Sequence, residues 1–321
     1  MKKLIGVLLL GIICAGSVIF AEDAKVMPKR MGRVYIAPTY AFANSTFDKD
    51  GERQDTKDGK GAFKFFNLGL VVEYGITDWI SGAVQWAPGW NIWSDVDQAF
   101  ASGADANLKS FGDIFVGAKM QIIGAAAPVE SSMFRLCLGP GIKIPLPAPD
   151  FEDEYANMLT GDEATVGKID KNVFGFGLRT YFDYIINDMF FVNFYNEFLY
   201  YPVKGESKNY AFGRAGDLDV AYGYDLTFEV EGHFQTSFGD GLVFNAGLPV
   251  NFKMSPDVKI DGDTVDDSGS MLLSLKPNAM IFLTKLFLPM QFKLSYSLPV
   301  WGQNTNATHS LTLQARIYFK I

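Results

Sequence analysis

The sequence predicts an all-β fold: one transmembrane antiparallel β-barrel of about twelve strands, with ten or fourteen as alternatives, exported behind an N-terminal signal peptide. Three observations carry this. Apolar and polar residues alternate with period two in blocks near the ~9–11 tilted residues that cross a hydrocarbon layer as a strand. Beyond the N-terminus no stretch approaches the ~18 apolar residues of a helical span. Tight turns alternate along the chain with long polar segments, as they do when one end of a barrel faces the periplasm and the other the exterior.

At the N-terminus, Lys2 and Lys3 form a basic region, Leu4 to Ile13 an apolar one, and Ile19-Phe20-Ala21 offers a small residue for cleavage. Residues 1–21 therefore read as a signal peptide. A lipoprotein signal ending at Cys14 is the weaker alternative, because Ile13 is a poor residue before a lipidated Cys. Residues 22–31 are then expected as a periplasmic arm and 32–321 as the barrel.

The composition agrees. Hydrophobic residues make up 48% and charged residues 20% of 321, with 32 Gly, 28 Phe, 14 Tyr and 5 Trp. That suits strands in which only every second residue meets lipid. After cleavage Cys137 is alone, so no internal disulfide supports the fold. The net charge of −8 becomes −10 once Lys2 and Lys3 leave, which argues against a nucleic-acid partner.

Twelve alternating blocks lie near 32–46, 62–74, 79–91, 111–123, 132–145, 173–185, 189–201, 219–237, 242–254, 271–283, 289–301 and 309–321. In the second, for example, Phe66, Leu68, Leu70, Val72 and Tyr74 alternate with Asn67, Gly69, Val71 and Glu73. Tight turns fall at 75–78, 186–188, 239–241 and around Lys285. The long polar connections are 47–61, 92–110, 146–172, 202–218 and 255–270. Trp79, Trp86, Trp90, Trp93, Tyr74 and Tyr201 stand near block ends, where amphipathic rings suit the headgroup layer.

Catalytic chemistry finds little support. His309 and Ser310 are adjacent in a strand and so point to opposite faces, and no His-x-Ser-Asn motif is present. No enzyme activity and no cofactor are expected. The face assigned to the lumen carries the acids Glu73, Asp113, Asp183, Glu197, Asp225 and Glu229. It also carries the bases Lys119, Arg135, Lys143, Arg179, Lys253, Lys276, Lys293 and Arg316. Cross-strand pairs filling a narrow barrel account for most of these charges. A selective lining with a slight basic excess, favouring anions, is the sharper reading.

Segments 146–172 and 255–270 are acidic and read as solvated, self-repelling loop surface. Asp261, Asp263 and Asp266 form a weak Ca²⁺ candidate, since the spacing and glutamate of a known calcium loop are missing. Pro145, Pro249 and Pro299 share the lumen parity near the outer ends of long strands. Proline removes a ladder donor, so each marks either strand termination or a lateral gap in the wall.

Three segments also carry a family resemblance: Glu73-Tyr-Gly-Ile-Thr-Asp-Trp-Ile-Ser-Gly-Ala-Val84, Ser110-Phe-Gly-Asp-Ile-Phe-Val-Gly-Ala-Lys119 and Gly139-Pro-Gly-Ile-Lys-Ile-Pro145. Together they resemble the barrels named for the meta-pathway of phenol degradation, a branch of the FadL-type hydrophobic-compound transporters. The resemblance implies capture of small hydrophobic molecules outside and lateral release into the membrane. The expected function is thus passive uptake of such compounds across the outer membrane of a diderm bacterium. The partners would be the lipid bilayer, the outer-membrane assembly machinery and a small-molecule substrate. A narrow anion-selective pore, and a surface adhesin or structural barrel working through its acidic loops, are the alternatives.

Overall fold

The alternating blocks become twelve long strands in the computed structural model, which describes residues 24–55, 62–96, 106–108, 111–147, 164–165, 170–208 and 217–320. The expected signal peptide, most of segment 146–172, parts of the other long loops and Ile321 lie outside the described residues. The strands are β1 (Met31–Ala43), β2 (Phe63–Gly75), β3 (Ile80–Asp95), β4 (Ile114–Gly124), β5 (Phe134–Ile144) and β6 (Gly175–Ile185). They continue with β7 (Phe190–Tyr201), β8 (Gly223–Phe238), β9 (Leu242–Ser255), β10 in two pieces (Ser270–Leu275 and Asn278–Leu283), β11 (Met290–Gln303) and β12 (His309–Lys320). Each pairs antiparallel with its sequence neighbours. β1 also pairs with β12, from Met31↔Lys320 to Phe42↔His309, so the sheet closes on itself. Closure gives the backbone groups of every strand two partner strands, the condition for a sheet to stand in lipid.

The two faces of the sheet settle its solvent. Ile36, Leu70, Val72, Val84, Leu178, Phe194, Val230, Leu294 and Leu313 are exposed on the outside, while Glu73, Asp183, Asn193, Glu197, Asn251 and Arg316 are buried inside. An apolar exterior over a charged interior inverts the pattern of a water-soluble fold, and hydrocarbon is the medium that rewards it. The chain is an outer-membrane barrel. Trp90, Trp93 and Tyr74 are exposed among the expected girdle residues. Tyr201 is a correction: it is buried and turned inward, its hydroxyl donating to Asp225 Oδ2 at 2.7 Å.

Several pairings are irregular: the β4–β5 register shifts between Gln121 and Ile123 and the β10–β11 register between Leu273 and Ser274, and two strands depart further. In β3 the register with β2 shifts twice, around Ala87-Pro88-Gly89 and again beyond Asn91. Gly89 has φ +84°, and a Cβ there would overlap the Leu68 carbonyl, so only glycine fits the bulge. The tenth strand, expected to be continuous over 271–283, is interrupted at Lys276-Pro277. The register nevertheless carries straight across, from Leu275↔Leu298 to Asn278↔Ser295.

The long loops add small sheets beyond the wall. Ser45–Phe47, Arg53–Asp55 and Thr305–Asn306 form a three-stranded one. Gly205–Lys208, Asp217–Ala221, Lys259–Ile260 and Asp263–Thr264 form a four-stranded one. Asp261 Oδ1 accepts from the Asp219 N–H at 3.1 Å. Among the described residues no three acidic, His or Cys side chains gather as a metal site, Asp261, Asp263 and Asp266 included.

Candidate functional site: the barrel lumen

Period-two strands send one side chain in two inward, and in this barrel those side chains fill the lumen in layers. All fourteen charged residues expected on the lumen face are buried or half-buried. Most are brought into pairs. The residues missed by sequence reasoning are Arg33 and Glu231, which share the same parity, and the loop pair Asp170 and Lys171.

The layer at the turn end is built on the N-terminal arm. The described part of this arm, expected on the periplasmic side, reaches into the turn end of the barrel, where the lumen offers its backbone partners. Ala24, with 0% exposure, donates its N–H to both Asp183 oxygens, at 3.0 and 3.1 Å. Its carbonyl accepts from Gln121 Nε2 at 2.6 Å and from Cys137 Sγ at 3.2 Å. Asp183 is held in turn by Arg135 Nη1 at 3.1 Å and Asn193 Nδ2 at 2.7 Å. Val26, Tyr181 and Tyr195 pack around this seat. Farther out, the Arg30 N–H bonds the Gly75 carbonyl at 3.0 Å and the Lys29 N–H bonds Asp78 Oδ1 at 3.1 Å. Beside the arm, Arg33 pairs with Glu73 at 2.5 Å, and Ser81 donates to the same carboxylate.

The middle layer spans β3 to β7. Arg179 binds the Glu197 carboxylate on one side and Gln85 Oε1, at 2.6 Å, on the other. Lys119 lies 4.1 Å from the centre of the Tyr181 ring, a favourable cation–π contact. A small cavity remains here, lined by Glu73, Gln85, Phe115, Lys119, Arg179 and Tyr181 among others. It has room for about one or two water molecules.

At the loop end Lys143 pairs with Asp113, at 3.5 Å, and with Asp170. Lys171 pairs with Asp225, which also accepts from Ser255 Oγ at 2.5 Å, and lies over the Tyr201 and Tyr222 rings at 4.6 and 5.3 Å. Asp170 and Lys171 were expected on a solvated loop; they are drawn inward because each finds an opposite charge buried there. The other side of this end is apolar: Leu108, from the loop after β3, packs with inward-facing Ala41, Ala43, Phe63, Phe65 and Val96.

Pro249 and Pro299 are buried on the inner face, and Pro145 is half-buried just past the end of β5. Pro277, not anticipated, completes the pattern. Lys276 donates its N–H to the Pro249 carbonyl at 2.9 Å and Tyr296 to the Pro277 carbonyl at 3.0 Å. The reciprocal bonds need an N–H that proline lacks. Two neighbouring ladder bonds are therefore missing from the β9–β10–β11 wall, and Asn278 Nδ2 stands 3.5 Å from the Lys276 carbonyl in place of one of them. On the same wall Glu229 accepts from Asn251 at 2.8 Å and lies 3.5 Å from Lys276. Glu231 accepts from Asn278 at 2.7 Å and lies 3.1 Å from His233.

Comparison with solved structures agrees with this architecture. The structure of the COG4313 outer membrane channel from Pseudomonas putida F1 superposes with TM-score 0.65 at 11% identity, over 94% of this chain and 100% of that one. The fold is that of an outer-membrane barrel. A Pseudomonas aeruginosa FadL homologue aligns over 96% of this chain and 99% of that one, with TM-score 0.45 and 10% identity. No family model matches the sequence, and no curated protein matches it.

Proposed function

We propose that the protein is a passive outer-membrane channel for small, mainly hydrophobic compounds, of the kind the FadL-type resemblance of its sequence implies. The fold it shares with a solved outer-membrane channel is consistent with this reading. One observation carries it: the lumen is apolar at one side of its loop end and ionic below. The apolar cluster of Ala41, Phe63, Phe65 and Leu108 is the side of this end that would receive a hydrophobic solute. To continue along the axis it would have to displace paired charges and the seated arm, at a cost of several kcal/mol. Sideways, the wall at Pro249 and Pro277 already lacks two ladder bonds, which lowers the cost of parting it there. In this reading the substrate enters from outside and leaves into the bilayer, and Pro299 caps the same stretch of wall. Pro145, on the opposite side, serves only to end β5.

The competing reading is a narrow pore for hydrophilic anions, favoured by Lys119 and Arg179 beside the cavity. The two separate in one pair of measurements. Expression in a strain with an otherwise tight outer membrane should speed entry of a small apolar probe, while purified protein in planar bilayers passes little current. Steady anion-selective current without faster apolar entry would overturn the hydrophobic reading in favour of the pore.

A further inference from the structure

Phe115 of β4 lies flat against the inner wall over glycines of three adjacent strands. A Cβ at Gly117 would stand 2.8 Å from Phe115 Cε1 and one at Gly177 2.5 Å from Cε2, while one at Gly141 would overlap the ring. The ring reaches the wall only because all three positions lack a side chain. On its other face the Arg179 guanidinium carbon sits 3.7 Å from the ring centroid, within cation–π range. From this pedestal Arg179 reaches Gln85 on β3 and Glu197 on β7, four strands apart in the barrel order. The side chain is a bar laid across the inner wall of β4 to β6. A larger residue under the ring would lift the bar off its pedestal.

The two ends of the bar are unequal. The Glu197 end is a charge-assisted bond, roughly twice as strong as the bond to the neutral amide of Gln85. When the bar moves, the Gln85 end parts first and Glu197 acts as the hinge.

We propose that Arg179 is a hinged bar and charge filter at mid-lumen, opened by small solutes whose acceptor oxygen, carboxylate, phenolate or carbonyl, replaces Gln85 at the guanidinium. This goes beyond the lateral route: it concerns the axial path, which the bar keeps shut in the resting protein, and it rests on the reading that the barrel is a channel. It adds an axial route for molecules that pair an apolar body with at least one acceptor oxygen.

The test uses Q85L and R179Q in full-length protein, each alone and combined with A24P. The last substitution removes the N–H that Asp183 holds and loosens the arm's seat without altering the wall. Folding of each variant is checked by heat-modifiable gel migration. In planar bilayers with the A24P background, Q85L should raise the open probability several-fold and keep the anion preference, because the bar is unlatched but present. R179Q should raise conductance several-fold and abolish that preference. A benzoate concentration series should raise the open probability of A24P alone and leave A24P/Q85L unchanged. If A24P conducts and neither substitution alters its current, the bar is wrong and the channel reading stands. If every folded variant is silent and apolar entry is also unchanged, the channel reading itself falls and the bar with it.

Discussion

The walls β4–β7 and β8–β11 face the same lumen and meet the same requirement by different chemistry. Both send carboxylates inward, where each must be satisfied or cost several kcal/mol. On β4–β7 and its flank each answers a cation: Asp183 with Arg135, beside the amide of Asn193, Glu197 with Arg179, and Asp113, just before β4, with Lys143. On β8–β11 Asp225 takes Lys171, whereas the nearest partners of Glu229 and Glu231 are the amides Asn251 and Asn278, with Lys276 and His233 farther away. The cation wall grips the arm and carries the bar across the lumen. The amide wall holds Pro249 and Pro277 and lacks the two ladder bonds their N–H groups would make. One side of the barrel is therefore built to seal and the other to give.

The sharpest way to break that comparison is D183A. Asp183 is fully buried and serves Ala24, Arg135 and Asn193 together. Its loss leaves Arg135 without a counter-charge, worth about 3–5 kcal/mol, and removes the acceptor that seats the arm. Urea unfolding in detergent should move to lower concentration accordingly. Cys137, whose thiol now rests on the Ala24 carbonyl, should become reactive toward a small water-soluble thiol reagent. Unchanged unfolding with Cys137 still protected would show that the cation wall does not hold the arm.

Much of this was legible in the sequence, and the reason is the period of two. Parity alone places Glu73, Asp183, Arg316 and their fellows on the inner face, and the turn pattern sets the strand count, because lipid punishes any slip. Arg33 and Glu231 obey the same parity and were readable by the same rule. Other features need distances that no local pattern encodes. Nothing near Phe115 announces that Gly117, Gly141 and Gly177 come together beneath it, since they are neighbours only after β4, β5 and β6 pair in register. The arm's seat likewise joins residues 159 positions apart in Ala24 and Asp183. Asp170 and Lys171 look like ordinary loop charges until their buried partners are known. Pro277 was overlooked because the alternation of 271–283 runs through it undisturbed, as the register does.

A smaller effect is expected on the amide wall. E231Q keeps the contact with Asn278 and loses the charge opposite His233, so the cost should be about 1–2 kcal/mol, with the arm seated and Cys137 still protected. A loss as large as that of D183A would mean that the two walls are not different in kind.

The smallest expected change is also the most direct test of where the wall gives. P277A restores an N–H opposite the Tyr296 carbonyl, in a register that is already correct on both sides of the gap. One ladder bond is worth about 0.5–1.5 kcal/mol, so the barrel should resist urea slightly better than the parent protein. If lateral release runs through this stretch, entry of the apolar probe should slow in the same variant although no lumen charge has changed. A gain in stability with unaltered entry would leave the prolines as strand irregularities and move the exit elsewhere. The two readouts point in opposite directions only if the missing bond is where the solute leaves.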